Sequence, residues 1–160
     1  MKPYQRVANK HMARTSPKHN LTFNTSWEFS SKLISVATEG GLEQARIEAW
    51  IEDDLDDLED YECFDEIQDL IQLSGSDDLF IVEVSKSWLH NFYWGKGLGY
   101  QMYLNLIQYI YKDFRKPFLF IPNYCSDSIT SKSALRVWRS FARKYPSSGD
   151  VILIDKYPTK

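Results

Sequence analysis

The sequence predicts an α/β fold, and three observations predict it. From Leu79 onward, segments of strand and helix character follow one another as strand, glycine loop, helix, strand, helix, strand. Glycines and prolines punctuate those segments at their ends. The chain has 160 residues, 43% hydrophobic and 26% charged, which suits one domain with one buried core. Strands alternating with helices imply a sheet with at least partly parallel pairing.

Taken in order, the first half reads as helical. "NTSWEFSSKLISVATEGG" carries Thr25 and Glu28 at capping-box spacing, and Gly40–Gly41 supplies a stop. "LEQARIEAWIEDDLDDLEDYECFDEIQDLIQLSG" follows. Ile47, Ile51, Leu55 and Leu58 make one stripe, and Ile67, Leu70 and Ile71 another. A break is expected near Tyr61–Asp65, and Gly75 ends the segment. "DLFIVEVSKSWLH" is the clearest strand. After the glycine loop, Met102, Leu106, Ile110 and Phe114 recur at helical spacing. "PFLFIP" predicts a short buried strand between prolines. "SKSALRVWRSFARKY" predicts a second helix with Ala134, Trp138, Phe141 and Tyr145 on one face, and "VILID" a closing strand.

The net charge of −3 conceals a segregation. Met1–Asn20 carries Lys2, Arg6, Lys10, Arg14 and Lys18 with no acid, and reads as a basic tail ahead of a domain over 21–160. Glu52–Asp69 holds eleven acids and no base, while from Phe80 onward twelve Lys/Arg face five Asp/Glu. The basic half could meet an anion. The acidic run is either a solvated face or a lure for a cationic partner. No apolar run has the roughly 18–20 residues of a membrane helix, so no membrane is expected. Cys63 and Cys125 lack metal or redox spacing, which predicts no metal and two reduced thiols of a cytoplasmic chain. A net negative charge is a poor footprint for nucleic acid.

"FYWGKGLGYQMYLNLIQYI" concentrates the chemistry. Alternating glycines at a helix start bring bare backbone close to a ligand, most often a phosphate. A Walker loop fails, because Gly97 rather than Ser/Thr follows Lys96. A dinucleotide fingerprint fails in both registers, because Tyr100 and Met102 occupy its last position. A strand running through Gly-x-Gly directly into a helix remains, with first-turn amides and a positive dipole end to hold a pyrophosphate. A tight turn that binds nothing is the alternative.

"WGKGLG" after a long strand resembles motif A of the GNAT superfamily of acyl-CoA-dependent N-acetyltransferases, Arg/Gln-x-x-Gly-x-Gly/Ala. "SDSITSKSALRVW" is similar to the family's following stretch, with Ser131, Ala134 and Trp138 at its spacing. The resemblance covers roughly Leu79–Asp155. It implies a GNAT-like mixed central sheet with flanking helices, here with an unusually helical and acidic N-terminal half. It also implies acetyl-CoA as substrate and an amine as acceptor. The cofactor-binding residues it implies are Leu89 and His90 at the strand end, Trp94, Gly95, Lys96, Gly97, Leu98 and Gly99 in the loop, and Ser131 and Lys132 ahead of the second helix. Trp94 replaces the family's Arg/Gln, and Trp138 replaces a tyrosine that is frequently the general acid. The family's early β-hairpin is not visible.

Glu83, the only acid in the central strand, is the candidate base, and Tyr124 is the candidate replacement acid. Both have a bland alternative, as a solvated carboxylate and a packed ring. Two functions follow: an acetyl-CoA-dependent N-acetyltransferase whose acceptor is cationic if the acidic run recruits it, or a GNAT-like fold kept as a binding or structural module.

Overall fold

The computed structural model describes residues 20–56, 58–122 and 132–159. Seven strands form one sheet in the order β1-β2-β3-β4-β5-β7-β6. They are β1 (Thr22–Phe29), β2 (Lys32–Glu39), β3 (Leu42–Glu52), β4 (Phe80–Leu89), β5 (Phe118–Ile121), β6 (Ser147–Ser148) and β7 (Val151–Ile154). Three helices accompany them among the described residues: α1 (Phe64–Ser74), α2 (Leu98–Phe114) and α3 (Lys132–Ala142). The protein is thus mixed α/β with a mostly antiparallel sheet, and β4–β5 is its parallel junction.

The first three strands overturn the helical expectation for the N-terminal half. In β2, Leu33, Ser35 and Ala37 are buried, and in β3 Ala45, Ile47 and Ala49, a period of two in each. Thr25 caps no helix; its hydroxyl bonds that of Ser35 at 2.9 Å, directly across the β1–β2 ladder. Glu28 reaches Lys32 at 3.3 Å around the same hairpin. Gly40 and Gly41 stop no helix either. Both have positive φ, 59° and 79°, the conformation a two-residue hairpin loop requires. A hairpin and a third strand therefore occupy the region where no early hairpin was visible.

The acidic segment is also not one helix. It leaves β3 at Glu52, turns through carboxylate-to-amide bonds Glu52–Asp54 and Asp54–Asp56 at 2.9 Å, and forms a 3-10 turn at Leu58–Asp60. Only then does α1 begin, near the expected break, and Gly75 closes it with φ 63°.

The second half follows the predicted order. Phe80, Val82, Phe118, Phe120, Ile152 and Ile154 face α2 and α3, while Ile81, Leu119, Ile121, Val151 and Leu153 face α1. Burial on both faces explains why these strands read as continuous apolar runs. By contrast, β1–β3 bury only the face toward α2 and α3.

One irregularity positions the site. In the β3–β4 ladder, Glu48 pairs with Lys86 but Ala49 with Val84, so Ser85 is an extra residue. This bulge inverts the alternation of β4. Before it, Val82 and Val84 face the helices; after it, Ser87 and Leu89 lie opposite the inward-facing Ile47 and Ala45.

Candidate functional site

β4 pairs with β5 only over Phe80–Glu83. Beyond Glu83, β4 continues to Leu89 beside β3, and its other edge has no strand partner among the described residues. A cavity of about 470 Å³ opens along this stretch on the helix side. Its floor is Ala45 and Ile47 of β3 with Met102 and Tyr103 of α2. Ser87, Trp88 and Leu89 form one wall, and Arg136 and Val137 of α3 contribute another. Gly95, Gly97 and Gly99 border it, together with Trp94.

The glycines differ in what they do. Gly97 is the N-cap of α2 at φ 81°, and no side chain caps the helix there. Gly95 also has positive φ, 73°. An L side chain at either would be strained. Gly99 lies inside the helix, where an added Cβ would sit 3.4 Å from Cγ2 of Val137. Its bareness lets α2 and α3 approach. The first intrahelical bond runs from the Gln101 amide to the Gly97 carbonyl, so the amides of Leu98, Gly99 and Tyr100 have no intrahelical acceptor and a positive helix end without a side-chain cap borders the cavity.

Other predicted residues fall differently. The Lys96 amide donates to the Tyr93 carbonyl at 3.3 Å, so the loop itself uses that donor. The Lys96 ammonium rests 3.7 Å above the Phe92 ring. The His90 amide donates to the Gln44 carbonyl at 2.8 Å, and its Nδ1 accepts from the Phe92 amide at 3.2 Å. Neither side chain lines the cavity. Leu98 is core, so only its amide faces this chemistry. Trp94 is 60% exposed, and its indole N–H donates to the Leu89 carbonyl at 2.9 Å. The chain itself therefore satisfies the carbonyl expected to pair with pantetheine. Lys132 begins α3; Tyr124 and Ser131 lie outside the described residues.

Glu83 lies opposite Trp50, on the face of β4 away from the cavity. It is half-buried, and that burial pushes its carboxyl above the ordinary value. Trp138 is not at the cavity. Its ring stacks on Phe120 at 4.5 Å, and its Nε1 donates to the Asp150 carbonyl at 2.5 Å. Of the helix face predicted for Ala134, Trp138, Phe141 and Tyr145, Trp138 and Phe141 are core on α3, Tyr145 is core but lies beyond the end of that helix, and the side chain of Ala134 is outside the described residues.

Sequence reasoning missed three tyrosines. Tyr93, buried, donates its hydroxyl to the Glu39 carboxylate, and burial and that carboxylate push it up to about 12. The bond ties the loop to the end of β2. Tyr100 stacks on Phe141 at 4.5 Å and accepts from Lys144. Tyr103 is 5% exposed, and burial holds its hydroxyl above the usual range, opposed by the Ser87 side chain. Tyr100 and Tyr103 follow the glycines by one turn, a spacing visible in "GLGYQMY"; Ser87 was hidden because the bulge is not.

Among the described residues, no group of three or more His, Cys, Asp or Glu is arranged to hold a metal, and no helix is long and apolar enough to cross a membrane. The chain matches no family model, and no curated protein matches it.

Proposed function

We propose that this protein is an N-acetyltransferase that moves the acetyl group of acetyl-CoA to an amine. One observation supports the reading: the cavity follows the edge of β4 that has no strand partner among the described residues and ends at the start of α2, which no side chain caps, bordered by Gly95, Gly97 and Gly99. A ligand suited to it has a flexible arm that can pair with a strand edge and a compact anion for the helix amides. The pantetheine and pyrophosphate of CoA have that form. The resemblance of "WGKGLG" and "SALRVW" to GNAT motifs supports the same ligand.

The thioester is already activated, so the protein chiefly positions it. The open β4 edge would orient the arm, and Arg136 would add charge beside the phosphates. Glu83, on the other face of the same strand, would take the amine's proton through water as the amine approaches from that side. The acceptor's identity is open. The acids of Glu52–Asp60 favour a cationic one.

A non-catalytic CoA-binding module is the second reading. It is favoured by Trp138, whose indole is locked in the core where a family tyrosine would act. A screen of amines for acetyl-CoA-dependent acetylation separates the two. The enzyme reading expects product with at least one amine class; binding without turnover across the screen supports the module.

A further inference from the structure

We propose that Trp94 is an autoinhibitory plug: its indole N–H occupies the strand-edge acceptor that the arm of the ligand needs, and binding must release it. The proposal rests on the CoA reading above. Leu89 ends β4 and borders the cavity together with Gly97, the N-cap of α2. A ligand that spans the strand edge and the helix start passes the Leu89 carbonyl. That carbonyl already accepts from the Trp94 indole at 2.9 Å.

The ladder fixes which groups face the open edge. The His90 amide donates to the Gln44 carbonyl, which makes those residues a hydrogen-bonded pair at the end of the antiparallel β3–β4 ladder. Such pairs alternate with pairs whose backbone groups point away from the partner strand. Leu89, opposite Ala45, and Ser87, opposite Ile47, therefore turn their main-chain groups to the edge that β5 has left. The Leu89 carbonyl keeps a second lone pair. An indole that lines the cavity 2.9 Å from the oxygen nonetheless fills the place of a strand-like arm.

The loop does not need that bond for its own shape. Its backbone is held by the His90 amide on Gln44, the Tyr93 amide on His90, the Trp94 amide on Asn91 and the Lys96 amide on Tyr93. The buried Tyr93 adds its bond to Glu39. The Trp94 ring is 60% exposed and stacks on no other ring among the described residues, so it can swing out while the loop stays. When the cavity is empty, the indole shields a strand edge that would otherwise invite another chain. When a ligand arrives, the apparent affinity is the intrinsic one reduced by the fraction of molecules whose edge is open. One exposed hydrogen bond sets that reduction at about twofold to tenfold.

The test is Trp94→Phe, which keeps an aromatic ring and removes the donor. CoA and ADP are titrated into both proteins by calorimetry; ADP carries the pyrophosphate but no arm. The expected result is a CoA affinity about twofold to tenfold tighter in the variant, with ADP not distinguishing the two proteins. CoA affinity unchanged or weaker in a variant that melts as wild type does overturns the proposal and leaves the CoA reading standing. ADP tightening in step with CoA overturns it too, because the change then lies in the loop and not at the strand edge. NMR of wild type gives an independent readout. The Trp94 indole N–H resonance, identified by its absence from the variant, should exchange faster with water once CoA saturates the protein. Unchanged or slower exchange overturns the proposal. Wild type that binds no CoA removes the ligand reading and the proposal together.

Discussion

Glu83 concentrates the consequences of a single residue. Its carboxyl is half-buried beside Trp50 and Ile121, and burial raises its pKa above the unfolded value. The folded state therefore holds this proton more tightly than the unfolded state does. The associated stability is fully present below the unfolded value and is lost as pH rises through the raised folded value. Glu83→Gln removes that loss. Its Tm should exceed that of wild type at about pH 8, and the gap should close near pH 4. Equal Tm values at both would contradict the desolvation. Under the proposed function the sign is opposite, because a base at Glu83 would work deprotonated. Turnover should fall as pH drops through the raised pKa, and the Gln variant should lose that limb along with most of its kcat.

At the scale of elements, the β2–β3 hairpin is the sharpest test. Gly40 and Gly41 both sit at positive φ with open space around them. Asn tolerates that conformation, so Gly40→Asn should leave Tm nearly unchanged. Gly41→Ala should destabilise by about 1–2 kcal/mol, read from denaturant midpoints. A neutral Gly41→Ala would contradict the turn geometry.

The same hairpin explains what the sequence conceals. A spacing of four residues is common to both periods, so Ile47 and Ile51 fit a helix stripe or one side of a strand equally well. Ala45, Ala49, Ser35 and Thr25 would have shown the period of two, but they are small or polar and did not register as core. In the second half the core positions are large. Ile81, Phe118, Phe120 and Ile154 left no ambiguity, so β4, α2, β5, α3 and β7 were legible. The glycine loop was legible too, because backbone needs are written in glycine. The lining of the cavity was not. Ser87 depends on a bulge, and Tyr93 on a long-range bond to Glu39.

For the whole molecule, the segregation of charge has a use under the proposed function. Arg136 lines the cavity and Lys144 bonds Tyr100 beside it, while Glu52 ends β3, the strand opposite Glu83, and Asp53 and Asp54 follow it. Arg136→Gln should weaken CoA binding by roughly threefold to tenfold at low salt and flatten its dependence on ionic strength. An unchanged salt dependence would remove Arg136 from the phosphate contact. Acceptor kinetics should respond in the reverse manner, to the acids rather than to Arg136.

Calorimetric titration of CoA into wild type and into Gly97→Glu tests the central claim most directly. The carboxylate would enter the uncapped N-terminus of α2 at a position that also needs φ 81°. The account predicts binding to wild type well below about 1 mM, and none to a Gly97→Glu protein that retains a cooperative melt. Wild type that does not bind at that concentration, or a Gly97→Glu variant that binds as tightly as wild type, would contradict it.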